Sequence, residues 1–349
     1  MARKKTDHSS LILEFLRQNP HASSKEIHEG IGNEQGYATI KRAIQELLEE
    51  KLIVSSGKGK GTKYETSPGY GIIRPINVDT YFQQEIDARI IRNSFNHALI
   101  GEILPNTFLF TDQELDVLGS LQNQYKEKTS KLSPNEYKKE LERLAIDLSW
   151  KSSQIEGNTY SLLETETLLK DKHTASGKTK EEAIMLLDHK EALDFIIAQP
   201  NYIQPLTLSR IEDIHSILIK DLEVDRNIRK RTVGISGTNY RPLDNEFQIR
   251  EAMEGMCILI NSQENVFAKA LLVLLLISYI QPFADGNKRT ARIISNAILI
   301  NNNYCPISFR TVDAIDYKKA ILIFYEQNNI SAFKKIFIEQ FEFAVKTYF

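Results

Sequence analysis

The run Gln281-Pro282-Phe283-Ala284-Asp285-Gly286-Asn287-Lys288-Arg289-Thr290-Ala291-Arg292 sets a turn, one carboxylate and three cations directly before a helical segment. That order of residue types describes an anion site. Pro282 and Gly286 interrupt the apolar segment ending at Ile280, and the amphipathic stretch after Asn287 restarts a helix whose free N–H groups can hold phosphate. Asp285 offers a carboxylate that would hold Mg²⁺ against that phosphate. A lone Asp-Gly-Asn would mean no more than a helix start with solvated charges. The Pro-Phe before it and the Arg-x-x-Arg after it make the pattern specific.

This run resembles the signature of the Fic family, His-x-Phe-x-(Asp/Glu)-Gly-Asn-x-Arg-x-x-Arg, whose members mostly transfer AMP from ATP to protein hydroxyls. The resemblance implies ATP and Mg²⁺ as cofactors. Asp285 would bind the metal, Asn287 and the backbone around Gly286 the α-phosphate, and Arg289 and Arg292 the distal phosphates. Lys288 stands where many adenylyltransferases of the family have glycine, and the Asn-Lys-Arg form also occurs in Doc-like members that phosphorylate their targets. Gly286 agrees with the adenylylating type. The departure is at the first position, where the family's catalytic base is histidine and this chain has Gln281. A glutamine amide has no accessible protonation equilibrium and can only orient groups by hydrogen bonds. The resemblance therefore implies a protein adenylyltransferase acting on Ser, Thr or Tyr hydroxyls, impaired or inactive because of Gln281. Two alternatives stand beside it: a DNA-binding transcriptional regulator using the Fic body as a nucleotide sensor, and a Doc-like protein kinase. His215 lies where the family often has a helix histidine, and it reads as a packed structural residue.

Further elements follow from the same resemblance. Ser152-Ser153-Gln154-Ile155-Glu156-Gly157-Asn158 looks like the inhibitory (Ser/Thr)-x-x-x-Glu-(Gly/Asn) motif. A carboxylate at Glu156 reaching Arg292 would remove the cation that the γ-phosphate needs. Residues 232–242 read as a β-hairpin, the family's flap, on which an extended segment of a target protein would dock by strand addition. Gly234, Ile235, Ser236 and Gly237 of this flap join the nucleotide-binding set, as does Tyr317, placed with Tyr325 near the adenine pocket.

The elements that must position these residues divide the chain in three. Residues 1–67 read as three helices and a basic hairpin, similar to a winged helix-turn-helix domain. Tyr37, Thr39, Lys41 and Arg42 would face DNA from the third helix, and Lys58 and Lys60, with Lys63, would touch phosphates. Residues 68–110 read as a linker and packing segment containing one helix over 83–100. From 111 to 349 helical periodicity dominates, with helices expected near 111–127, 134–153, 161–170, 179–197, 207–221, 246–262, 266–280, 287–301, 313–328 and 331–347. This is the Fic-like body, with an inhibitory helix over about 134–158. The expected fold class is mainly α, with a small hairpin flap and an N-terminal α+β domain.

Composition narrows the partners. A net charge of -2 gives no global pull toward nucleic acid or membrane, so DNA would be met by a local patch. The apolar run 268–280 is too short to span a bilayer, which needs about 20 residues, and no secretory signal opens the chain. Cys257 and Cys305 lack metal-ligand spacing and read as reduced residues of a cytoplasmic protein. An exposed apolar face on the inhibitory helix would allow a homodimer.

Overall fold

The computed structural model describes residues 8–32 and 36–349. They fall into two compact units, one made of residues up to Pro75 together with Gly101–Leu109, the other of Ile76–Ile100 and Phe110–Phe349. The 68–110 stretch is thus shared between the units.

In the first unit, α1 (His8–Gln18), α2 (Ser24–Gly30) and α3 (Tyr37–Glu49) are followed by β1 (Ile53–Ser56) and β2 (Lys63–Thr66). A short helix, α4 (Pro68–Ile73), follows β2. Ser23 and Glu26 cap α2 reciprocally, satisfying two otherwise orphaned N–H groups. Ile12, Leu16, Ile27, Ile40, Ile44, Leu47 and Ile53 form the core, each supplied by the apolar stripe of its element. β1 and β2 pair antiparallel from Ile53↔Thr66 to Ser56↔Lys63. At the turn a Cβ on Gly57 would lie 2.5 Å from the Gly61 carbonyl oxygen, so only glycine fits.

The second unit is helical. It contains α5 (Val78–Phe82), then α6 (Asp112–Thr129), α7 (Pro134–Ile155), α8 (Leu162–Asp171), α9 (Lys180–Ala198), α10 (Leu208–Leu218) and α11 (Glu246–Ser262). α12 (Val266–Ile280), α13 (Asn287–Asn301), α14 (Ala314–Gln327) and α15 (Ser331–Thr347) complete it. These ten helices from α6 onward match the periodicity closely. Sequence caps explain the sharp starts of α6 to α9: Thr111/Glu114, Ser133/Glu136, Ser161/Glu164 and Thr179/Glu182 each form a capping box. α12 is apolar all round and buried from Ala270 to Ile280, the pattern of a central helix. α13 packs against α12 and is buried on most of its surface, so the 281–286 turn joins two helices fixed in the core. No helix among the described residues is long and apolar enough to cross a membrane.

Three expectations need correction. Residues 83–100 do not form one helix. Beyond a short 3-10 turn at Ile86–Ala88 the chain runs extended as a strap to Asn96, ahead of a π-helical turn at Leu99–Ile103, because the strap's polar groups bond outward rather than to each other. Arg92 N donates to Glu326 O, Arg241 N donates to Asn93 O, and Asn96 N donates to the Tyr279 hydroxyl. Residues 232–242 are not a paired hairpin either. The segment is a loop around Ser236–Gly237, and the bridge at its end joins Arg241 to Ser94 of the strap instead of closing on itself. Finally, the apolar residues of α7, among them Leu141, Leu144, Leu148 and Ile155, are buried within their own unit. The exposed apolar face expected on this helix is therefore absent.

Candidate active site

α12 ends at Gln281, which takes a left-handed conformation at φ 52°, and α13 begins after Gly286 at φ 78°. The turn between them is tied from inside. Asn287 Oδ1 accepts from Phe283 N (2.8 Å), and its Nδ2 donates to Phe283 O (2.8 Å) and to Gln281 Oε1 (3.0 Å). Gln281 Nε2 in turn donates to Ser278 O at 2.6 Å, so both ends of this amide are engaged within the protein. Arg229 fastens the same turn from the side, donating from Nε to Gln281 O (2.6 Å) and from its backbone N to Pro282 O (2.9 Å). Motif reading missed Arg229, 52 residues away from Gln281, because its partners are backbone atoms.

His215, on α10, stacks on Phe283 with centroids 3.6 Å apart and an interplanar angle of 5°. Its Nδ1 lies 3.1 Å from Thr290 Oγ1. Burial, with Arg289 adding to it, pushes its pKa down to about 3, so the ring is neutral. A Cβ on Gly286 would meet this imidazole at 3.2 Å, so the ring packs under the turn as a structural support.

The three cations of α13 have different surroundings. Arg292 is fully buried: Nε donates to Ser152 Oγ (2.8 Å), and Nη2 to Ser152 O (3.0 Å) and Glu156 Oε1 (3.0 Å). Lys288 Nζ is 3.1 Å from the other oxygen, Glu156 Oε2. Glu156 caps the C-terminus of α7, where Gly157 at φ 104° stops the helix. A carboxylate is disfavoured at that end of a helix dipole. Burial works to raise the Glu156 pKa, and Arg292 and Lys288 together overcome it and hold the carboxyl below its ordinary value. Arg289 donates Nη2 to Asp285 Oδ2 at 2.9 Å, yet its buried Nε and Nη1 have no hydrogen-bond partner. Two desolvated guanidinium donors in the first turn of a helix are a donor set that a phosphate would complete.

A cavity of ≈ 310 Å³ is lined by Glu156, Lys288 and Gln281, by Gly234, Ile235 and Ser236, and by Lys318, Ile321, Leu322 and Tyr325 of α14, with Arg289 and Arg292 buried outside its lining. Tyr317 is not part of this lining. It is buried behind Arg292, whose guanidinium carbon lies 5.3 Å from the ring centroid, and helical spacing alone could not tell it from Tyr325. Among the described residues no group of three or more His, Cys, Asp or Glu could hold a metal. Asp285, with its side chain 60% exposed, is one carboxylate, which suits a Mg²⁺ carried in by phosphate oxygens rather than a cage made by the protein.

Residues 205–299 match the Fic/DOC family model, and this stretch runs from before α10 through nearly all of α13. The chain carries a Fic/DOC domain. It is 29% identical over 180 residues to protein adenylyltransferase Fic of Nematostella vectensis, covering 48% of this chain and 40% of the relative. The corresponding protein of Culex quinquefasciatus is 28% identical over 160 residues, 44% of this chain and 31% of the relative. These matches span less than half the length of either relative. Among solved structures, a Fic domain containing signaling protein from Bacteroides thetaiotaomicron superposes with a TM-score of 0.57 at 20% identity, over 66% of this chain and 95% of that one. Fic-1 from C. elegans gives 0.58 at 19%, over 68% and 72%. The shared fold is mainly helical.

Unit 1 presents the other predicted site residues. Tyr37, Thr39, Lys41 and Arg42 are exposed on the N-terminal half of α3, and Lys58 and Lys60 are exposed at the β1–β2 turn. Tyr37 is held by its hydroxyl 2.7 Å from Ser24 Oγ, and Lys63 is paired to Glu26 at 2.7 Å.

Proposed function

We propose that the Fic domain binds ATP with Mg²⁺ in the manner of a protein adenylyltransferase, that Glu156 holds the site closed, and that Gln281 deprives it of a base. The observation carrying this reading is the Glu156 carboxylate itself, which spans Arg292 and Lys288 at 3.0 and 3.1 Å on the wall of the ≈ 310 Å³ cavity. A polyphosphate would need the same two cations. Arg289, with two buried donors unmet, would take a phosphate without first giving up a partner. Asp285 would ligate the metal, and the apolar side chains Ile321 and Leu322 with Tyr325 would face the base.

In adenylyl transfer the oxygen of a target hydroxyl forms a bond to the α-phosphorus as the bond to pyrophosphate breaks, and the hydroxyl proton must leave. Gln281 cannot take it, and its Oε1 already accepts from Asn287. The cradle is complete in chemistry while proton transfer is not. The target chain would approach along the 232–242 loop, beside which a cleft of ≈ 950 Å³ is lined by Asn93, Ser94 and His97 of the strap and by Asn239 and Arg241. For unit 1 we propose a winged helix-turn-helix module, on the helix-helix-helix-hairpin order and the exposed cations of α3 and the turn.

The test is calorimetric titration of ATP with Mg²⁺. Glu156→Gly should bind at least about tenfold more tightly than the unaltered chain, since a buried charge competitor is removed. Glu156→Gly with Gln281→His should then transfer label from α-phosphate-labelled ATP about 10²- to 10⁴-fold faster than Glu156→Gly alone. Unchanged binding in Glu156→Gly would sink the closed-site reading, and label moving from the γ-phosphate instead would make the chain kinase-like.

A further inference from the structure

Arg292 keeps two hydrogen bonds that do not involve Glu156, both to Ser152. Behind Ser152, on α9, His189 is fully buried, with Nε2 2.8 Å from Ser152 Oγ and Nδ1 3.3 Å from Ser149 Oγ. One direction in this chain is fixed by chemistry. A guanidinium N–H only donates, so the Ser152 oxygen accepts from Arg292. That leaves the Ser152 hydroxyl proton free to point at His189 Nε2; in this arrangement Nε2 is bare and the ring proton sits on Nδ1 facing Ser149 Oγ. Burial and the positive charges of Arg292 and Arg289 drive the His189 pKa well below its ordinary value, which keeps the ring neutral, with one nitrogen an acceptor.

We propose that His189 is a positioning residue of the anion site: through Ser152 it holds the Arg292 guanidinium in an orientation that outlasts the departure of Glu156. The inference rests on the reading of that site as one for a nucleoside triphosphate. Of the three hydrogen bonds to Arg292, Glu156 contributes one, and the two from Ser152 remain when the carboxylate swings away. An arginine already fixed loses little further freedom when a phosphate arrives, which is the general benefit of preorganisation. The two ends of Ser-x-x-x-Glu then act differently: the glutamate competes for the arginine and the serine aims it.

The full chain carrying Glu156→Gly is the parent for the test, titrated with ATP and Mg²⁺ by calorimetry and melted in parallel. Adding His189→Leu leaves the Ser152 hydroxyl without an acceptor and should weaken nucleotide binding by about tenfold in the folded protein. His189→Gln, whose carbonyl can accept the same proton, should stay within about threefold of the parent. Parental affinity in the leucine variant, or an equal loss in both variants, overturns the proposal whatever the melts show. A second measurement needs neither nucleotide nor a destabilised variant. Nitrogen-15 spectra of the histidine-labelled natural chain should contain a neutral ring protonated at Nδ1 that does not titrate between about pH 5 and 8. A His189 ring protonated at Nε2 would reverse the donor order and overturn it too. If the parent binds no ATP, the nucleotide reading fails, while the spectrum still decides the link between His189 and Ser152.

Discussion

The cations of α13 and those of α3 differ in what holds them. Arg292 and Lys288 meet Glu156 across 136 and 132 residues of chain, and Arg292 is wholly inside the protein. Arg42 meets Glu46 one turn along its own helix at 3.1 Å, with its side chain 84% exposed, and Lys41 lies 4.9 Å over the ring of Tyr37. A buried long-range pair exists only because the fold brings it together, and its charges are uncompensated if either partner goes. An exposed i,i+4 pair forms in any helix of that sequence and is largely screened. The first arrangement is a built site, and the second is a charged surface whose worth depends on what approaches it.

The largest effect should come from breaking the built site. Arg292→Met removes the partner of Ser152 and leaves Glu156 with Lys288 alone, and it should cost about 3 kcal/mol of stability, the lower end for breaking a buried pair. Urea denaturation of the natural and altered chains measures it. A loss no greater than that of an exposed charge would erase the distinction between the two regions.

Next in size is an effect of acid on the buried histidines around the cradle. His215, with a folded pKa of about 3, and His189, shifted in the same direction, are bases whose folded values lie below the unfolded value. Below about pH 6.5 the unfolded chain binds protons that the folded chain refuses, so stability falls as pH drops through that value and continues to fall toward pH 3. For His215 the loss between pH 7 and pH 5 is about 2 kcal/mol. Denaturation midpoints at the two pH values, with His215→Gln as a control whose slope is shallower, check it; a flat profile would mean the imidazoles are not held neutral.

How much of this was legible in the sequence divides along the same line. The helices from α6 to α15 could be read because apolar period and capping pairs such as Thr179/Glu182 are local signals. The 281–292 run could be read because its residues are contiguous. The strap over 83–98 could not, since Arg89 has its carboxylate partner on Glu326 at 3.2 Å and donates to Gly237 O at 3.1 Å, and nothing nearby in sequence announces either. The same holds for His189 and Arg229, which act on Ser152 and on backbone carbonyls from distant helices and loops. The 232–242 loop misled in the other direction: β-branched residues and turn glycines suggested pairing within the segment, while Arg241 makes its single bridge to Ser94 of the strap.

The smallest effect sharpens the comparison from the side of α3. Replacing Lys41 and Arg42 by methionine should leave the melting temperature unchanged within about 1 °C, because the pair to Glu46 is solvated and its loss strands no buried charge. If the exposed residues of unit 1 meet DNA, the same double variant should weaken binding across all sequences and reduce the slope of log affinity against log salt by about two phosphate contacts. Stability and binding would then separate on α3, whereas on α13 they cannot, since Arg292 serves both. A double variant that melts early would show that the α3 cations are not merely solvated, and one whose DNA binding keeps its full salt slope would show that they are not the phosphate-contacting face.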